Sequence, residues 1–249
     1  MKKCIFLYLI ICIINILIPN NTLAQVTIGD SSSRQKGFTN ALNLFNTTVG
    51  EQSSLYNGPE YYFYDPIYKG NAYFMDMNAF TPGTIYYDGT LYKNVPMLYD
   101  IYSDKVVVLL YNHFSKFSLL RERVKSFDFL DHHFINIAAD SLDNNAVISP
   151  GFYDELYKGK VQVLARRAKN IQNNPGTTNY ESYFNPIKSY YLKKNNIYYS
   201  VGGEGSFMSV LKDKKKELQQ YIRANKIKFR RNPEEAMVKI ASYYDHLTN

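Results

Sequence analysis

Apolar residues along this chain change their spacing once, near Ser206. Before that point, from Glu60 onward, they alternate with polar residues in short runs, the period of half-buried strands. After it they recur every three or four positions, the period of an amphipathic helix. The runs predict strands at Tyr61–Tyr64, Ala72–Met75, Thr84–Tyr87, Thr90–Tyr92, Met97–Tyr102, Lys105–Tyr111, Phe117–Leu120, Val124–Leu130 and Phe134–Ile137. Turns at Asp65-Pro66, Lys69-Gly70, Pro82-Gly83, Asp88-Gly89, Ser103-Asp104 and Asp131-His132 separate them. Gly151–Tyr157 with Lys160–Arg167, and Lys188–Lys193 with Ile197–Val201, predict two more hairpins, set off by loops at Asp140–Pro150 and Asn170–Tyr180. These gaps leave no room for crossover helices, so the strands read as an antiparallel meander.

The stretch Gly83–Tyr111 predicts the centre of that sheet. Asp88-Gly89 supplies the positive φ angles of a type I′ turn. Val106 to Leu110 is apolar at every position, as a strand covered on both faces requires. Pro96 has no N–H for a ladder, so it marks a strand start, an edge or a bulge.

Phe207, Val210, Leu211, Leu218, Tyr221 and Ile222 predict a helix over Ser206–Asn225. A second begins at Asn232, with Pro233 at its first position and Glu234-Glu235 in its first turn. Met237, Ile240, Tyr244 and Leu247 form its apolar stripe. The fold class is therefore α+β: a mainly antiparallel β meander, as a curved sheet or open barrel, with a C-terminal helical hairpin packed against it.

Residues 1–24 carry a charged start, an apolar run from Cys4 to Ile18 and a small-residue stop at Ala24, the pattern of a cleaved signal peptide. Residues 25–59 form a polar lead-in with one short helix around Ala41, Leu42, Leu44, Phe45 and Val49. Residues 60–205 are the β domain and 206–249 the helical hairpin. Export follows, to the periplasm or beyond, with no span after cleavage. No cysteine follows the apolar run to receive a lipid. Both cysteines, Cys4 and Cys12, lie inside the leader, so the exported chain has neither disulfides nor thiol chemistry.

Charge divides unevenly. Without Lys2 and Lys3 the chain has 27 basic and 22 acidic residues, and the whole excess lies after Gly205. Lys212, Lys214, Lys215, Lys216, Lys226, Lys228, Arg230 and Arg231 are the candidate surface patch. Export makes nucleic acid an improbable partner, and Asp213 and Glu217 interrupt the run, so a solvated helix face is the favoured reading.

Catalytic signals are weak. Asp131-His132-His133 reads as a solvated hairpin turn rather than a metal site, since neighbouring strand residues point to opposite faces. Ser206 follows Gly202-Gly203-Glu204-Gly205 but lacks the order of a phosphate-binding loop. Asp100, Asp104, Glu122, Asp128, Asp154 and Glu155 are available acids with no defined pairing. No catalytic, metal-binding or cofactor-binding residue is assigned. The strands are too short for an outer-membrane barrel.

Leu55–Pro66 (LYNGPEYYFYDP), Tyr86–Asp100 (YYDGTLYKNVPMLYD), Gly151–Arg167 (GFYDELYKGKVQVLARR) and Leu211–Arg230 (LKDKKKELQQYIRANKIKFR) resemble a family of exported, β-rich proteins of Bacteroidota to which no function is assigned. The resemblance implies a leader, a β-rich body and a basic helical tail, and supplies no catalytic residues. The function expected is a non-catalytic interaction or structural role at the periplasm or cell surface, with an unknown protein or envelope component as partner. The alternative is a carrier of an apolar ligand between sheet and helices; a hydrolase with an unrecognised site is a minor third.

Overall fold

The computed structural model describes residues 31–49, 54–142, 147–174 and 181–248. The expected leader and the beginning of the lead-in lie outside these residues. The described residues divide into two units between Ala41 and Leu42. Helix α1, Ser31–Val49, crosses that boundary and is far longer than the short helix expected near Ala41. Its stretch from Ser31 to Thr48 contains no proline, and Gly37 alone breaks the run of tolerated helix residues.

The second unit is built on an eleven-stranded sheet, mostly antiparallel and not closed. Its strands are β1 (Tyr68–Lys69), β2 (Thr81–Tyr87), β3 (Thr90–Asp100), β4 (Lys105–Leu109), β5 (Lys116–Ser118), β6 (Val124–Phe129), β7 (His132–Ile137), β8 (Gly151–Lys158), β9 (Val161–Asn174), β10 (Glu181–Lys194) and β11 (Ile197–Val201). Two meanders, β2–β5 and β6–β11, join through the pairing of β2 with β6. Among the described residues, only β1 pairs in parallel, against the start of β10. The expected α+β class, with a curved antiparallel sheet and C-terminal helices, is the observed one.

Curvature brings distant strands together. The Lys169 N–H of β9 donates to the Ile101 carbonyl beyond β3 at 3.1 Å. Inside the curve, Phe74, Tyr99, Phe127, Phe134 and Phe152 interlock, with Phe127 stacked on Phe134 at 4.8 Å. Such ring pairs add roughly 0.5–1.5 kcal/mol each beyond their buried area.

Several local expectations change. Gly83–Tyr111 is core but not the sheet's centre: β2, β3 and β4 lie toward the β5 edge. Their burial comes from the curl and from residues 55–77 packed against them, not from central position. Val106, Val107 and Val108 are buried on both faces, as their unbroken apolar run requires. Asp88 and Gly89 both take positive φ, completing the β2–β3 hairpin. Tyr61–Tyr64 is not a strand; only Glu60 bridges to Phe117. Ala72–Met75 gives way to a 3-10 turn at Phe74–Asp76, where Met75 and Asp76 have positive φ. Asn170–Tyr180 is shorter as a loop than expected, because β9 and β10 continue their ladder to Asn174 and Glu181.

The C-terminal part holds α2 (Glu204–Val210), a 3-10 turn at Lys212–Lys214, α3 (Lys215–Ala224) and α4 (Pro233–Leu247). A continuous helix over Ser206–Asn225 was expected. It breaks at Lys212–Lys214, where Asp213 is held by Lys194 of β10 at 2.6 Å and by the Tyr244 hydroxyl of α4 at 2.8 Å. The helices cover Val161, Val163, Leu192 and Val201 with Phe207, Leu211, Leu218, Met237 and Ile240, all buried. Among the described residues, no helix is long and apolar enough to cross a membrane.

Candidate functional site

On β9, Val161, Val163, Ala165, Arg167 and Lys169 share one face by strand alternation. The helices bury the first of these. Past Ala165 the helical cover ends, and the same face continues as a charged band. Asp154 of β8 pairs in register with Ala165, and Lys188 and Tyr190 of β10 with Arg167 and Ala165. The start of α4 lowers Glu234 onto this band.

Arg167 is its hub, with its side chain only 6 % exposed. Its Nε donates to Asp154 Oδ2 at 3.0 Å, and its Nη2 reaches the same oxygen. Nη1 and Nη2 grip both Glu234 oxygens at 2.6 and 2.9 Å, a fork-to-fork pair. The Tyr190 hydroxyl donates to Glu234 Oε1 at 2.8 Å, and Lys188 Nζ stands 3.6 Å from it. His132 Nδ1 donates to Asp154 Oδ2 at 2.8 Å, and its ring meets Phe74 edge-on at 5.0 Å.

Burial pushes the Glu234 carboxyl up, but hydrogen bonds and charge from Arg167 outweigh it and hold it at about 2. Burial lowers the Arg167 guanidinium, and the two carboxylates more than restore it, so it stays above its ordinary value. Burial, then the bond to Glu234, pushes the Tyr190 phenol up to about 12. One buried cation thus bridges two carboxylates that would otherwise repel one another, and Lys188 beside Glu234 supplies the second positive charge.

Beside this network lies a cleft of about 370 Å³. Phe74, Ile101, Ala168, Pro186 and Ile187 give it apolar walls; His132, Arg167, Lys188 and Glu234 give one polar side; Asp76 and Lys169 close another. Lys169 Nζ is tied to Asp76 Oδ1 at 2.5 Å and to the Asn71 carbonyl at 2.8 Å. With Arg167 and Lys169 committed, His132 Nε2 and Lys188 Nζ are the polar groups best able to meet a guest. No serine, threonine or cysteine lines the cleft.

The His pair is placed differently from its expected turn. Leu130 and Asp131 make the turn, both with positive φ, and His132 opens β7. The shift of one residue sends His132 to the cleft and His133 to the other face, where Nδ1 meets Asp128 at 2.6 Å. The two rings diverge, as strand geometry demands. Among the described residues, no cluster of three or more His, Cys, Asp or Glu could hold a metal ion.

Other acids considered from the sequence are committed elsewhere. Asp100, fully buried, accepts from the hydroxyls of Tyr61, Tyr64 and Ser103 and from the N–H groups of Tyr102 and Ser103. Asp104 takes Arg166 at 2.9 Å and the Tyr99 hydroxyl at 2.8 Å. Glu155 accepts from Gln162, and Glu122 is exposed.

The eight basic candidates lie on the 3-10 turn, the start of α3 and the segment between α3 and α4. Lys226, Lys228 and Arg231 line one recess of about 240 Å³ with Glu235 and Lys239. Arg230 borders a different recess, with Tyr190 and Phe229. Lys212 and Lys214 sit in the 3-10 turn, and Lys215 and Lys216 open α3. Sequence reasoning missed Arg167, Lys169 and Lys188 as site residues. The available signal was two adjacent cations, Arg166-Arg167, in a run otherwise patterned as a buried strand, where an unpaired charge is costly. No protein-family model, no curated protein and no solved structure matches this chain.

Proposed function

We propose that the protein is an exported, non-catalytic binding protein that holds a small amphipathic molecule in the cleft between β7, β9, β10 and the start of α4. One observation carries this reading: a cleft with apolar walls lies beside charges that are already paired with one another. A guest gains apolar burial there without having to satisfy Arg167 or Glu234, while His132 and Lys188 can orient its polar end. The carboxylates that line the cleft are held by Arg167 and Lys169, which favours binding over nucleophilic hydrolysis. This is the carrier alternative in altered form, at the margin of the helical cover and not beneath it.

Native mass spectrometry of the protein purified from its own host tests the reading. A defined adduct of small mass is expected, and Pro186→Phe, which places a ring on the face shared by Arg167, Lys169 and Lys188, should remove it while the fold survives by circular dichroism. A bare polypeptide mass, or an adduct indifferent to Pro186→Phe, overturns it.

A second reading, docking to a protein or envelope component, has its own support. Tyr62, Phe63, Tyr111 and Phe114 are 73, 52, 60 and 79 % exposed. Lys116 joins Phe63 and Phe114, with its Nζ 5.1 and 5.6 Å from the two ring centres. Exposed aromatic patches of this kind are typical of binding surfaces.

A further inference from the structure

Farther along the same face of β9 and β10, beyond the charged band, the character changes again. Ile171 pairs in register with Phe184, and Tyr64, Tyr68 and Tyr73 pack around them. A pocket of about 260 Å³ opens here, lined by Phe63, Tyr64, Tyr68, Tyr73 and Phe184, with Asp65, Asn71 and Asn78 as its polar side chains. We propose that this pocket is a binding site for a small organic cation, of the quaternary ammonium class.

Three features select that chemistry. The rings stand at steep angles: Tyr64 meets Phe184 at 69° and Phe63 meets Tyr73 at 81°. Steep rings form the corner of a box, which suits a compact, rounded headgroup, whereas a sugar takes a flat ring as a platform. Aromatic faces carry the negative part of the ring quadrupole, and such boxes are a recurrent device for quaternary ammonium groups. Second, the single charged residue lining the pocket is an acid, Asp65, and no lysine or arginine lines it. Third, the volume lies below the roughly 300–1,000 Å³ of sites for drug-sized ligands, which fits a headgroup.

The pocket is built on a fixed frame. Asp65 Oδ1 accepts the Ile67 N–H at 2.9 Å, which locks the turn that carries it. Tyr64 donates its hydroxyl to buried Asp100 at 2.7 Å. Asn71 accepts the Tyr73 N–H at 3.0 Å and donates to the Asp76 carbonyl at 2.8 Å. Three cations stand near but do not line it: Lys116 lies over the Phe63 ring, Lys169 bonds the Asn71 carbonyl and Asp76, and Lys69 pairs with Glu181 at 3.7 Å.

The experiment compares choline with its neutral isostere 3,3-dimethylbutanol, using calorimetry on the full exported chain. Choline is expected to bind about tenfold more tightly, from cation–π attraction and the carboxylate together. Asp65→Asn should remove most of that preference while leaving the isostere unchanged. Tyr68→Leu should weaken choline and leave thermal unfolding nearly unmoved, as its ring is half-exposed. Equal affinity for the two probes, binding of neutral sugars in preference to choline, or no heat at millimolar choline each overturns the proposal. A choline response unaffected by both substitutions also overturns it, by placing the site elsewhere.

Discussion

Arg167 is the residue on which the most depends. Replacing it with alanine strands Asp154 and Glu234 together, one wholly and one largely removed from water. Breaking a buried ion pair by removing one partner typically costs about 3–5 kcal/mol. Arg167→Ala should therefore lower urea-unfolding stability by about that amount, whereas Lys188→Ala, exposed and 3.6 Å from Glu234, should cost under about 1 kcal/mol. Glu234 carries a pH signature. Its carboxyl is near 2 in the folded chain and near 4.5 without its partners. Its contribution is thus complete above about pH 4.5 and is lost as pH falls toward 2, on the order of 3 kcal/mol in all. Glu234→Gln should flatten the stability–pH curve in that window, read by thermal unfolding at stepped pH. The residue types were visible in the sequence, but their roles were not. Asp154 read as one acid among six, and Glu234 as a helix-start signal. It is that as well: α4 begins at Pro233, although the Asn232 side chain bonds Glu235 and caps no backbone N–H.

Among elements, the alternation of β9 was legible and its surroundings were not. Period two puts Val163, Ala165, Arg167 and Lys169 on one face. It does not say that helices cover the first, a charged cleft the third and an Asp–Asn clasp the last. The hairpin turns show how narrow the margin is. Asp88-Gly89 was readable because only that pair offers cheap positive φ there. Leu130 adopts φ of +49°, uncommon for such a residue, so the β6–β7 turn begins one residue earlier than its sequence suggests. That single step decides which face His132 occupies. The edge beside β5 is closed by Pro59–Tyr61, where the Ser118 N–H meets the Pro59 carbonyl at 2.9 Å. Gly58 permits the approach: a Cβ there would lie 2.0 Å from the Ser118 carbonyl oxygen. Gly58→Ala should detach this segment, with a loss of roughly 1–3 kcal/mol and faster amide exchange at Tyr61 and Ser118. In α4, Met237 is fully buried against the sheet, and Met237→Ala should cost about 2–5 kcal/mol in the same unfolding assay.

At the scale of the molecule, the curl of the sheet makes both recesses, by bringing residues 61–76 against β9 and β10. If the exposed aromatics dock a partner, Phe114→Ser and Tyr62→Ser should abolish co-purification from host envelope extracts without lowering the melting temperature, since neither side chain is buried. Unchanged co-purification counts against that second reading. By itself, the sequence determined the strand and helix periods, the α+β class, the type I′ hairpin and the start of α4. These follow from local backbone preferences and from apolar spacing within one element. The tertiary structure decided where Gly83–Tyr111 lies in the sheet, where the long helix breaks, and which charges meet. Arg167 is 13 residues from Asp154 and 67 from Glu234. Their meeting depends on strand register and on how one helix lands on a curved sheet, and no local pattern encodes either. The paired interior charges, which looked ordinary in sequence, form the candidate site.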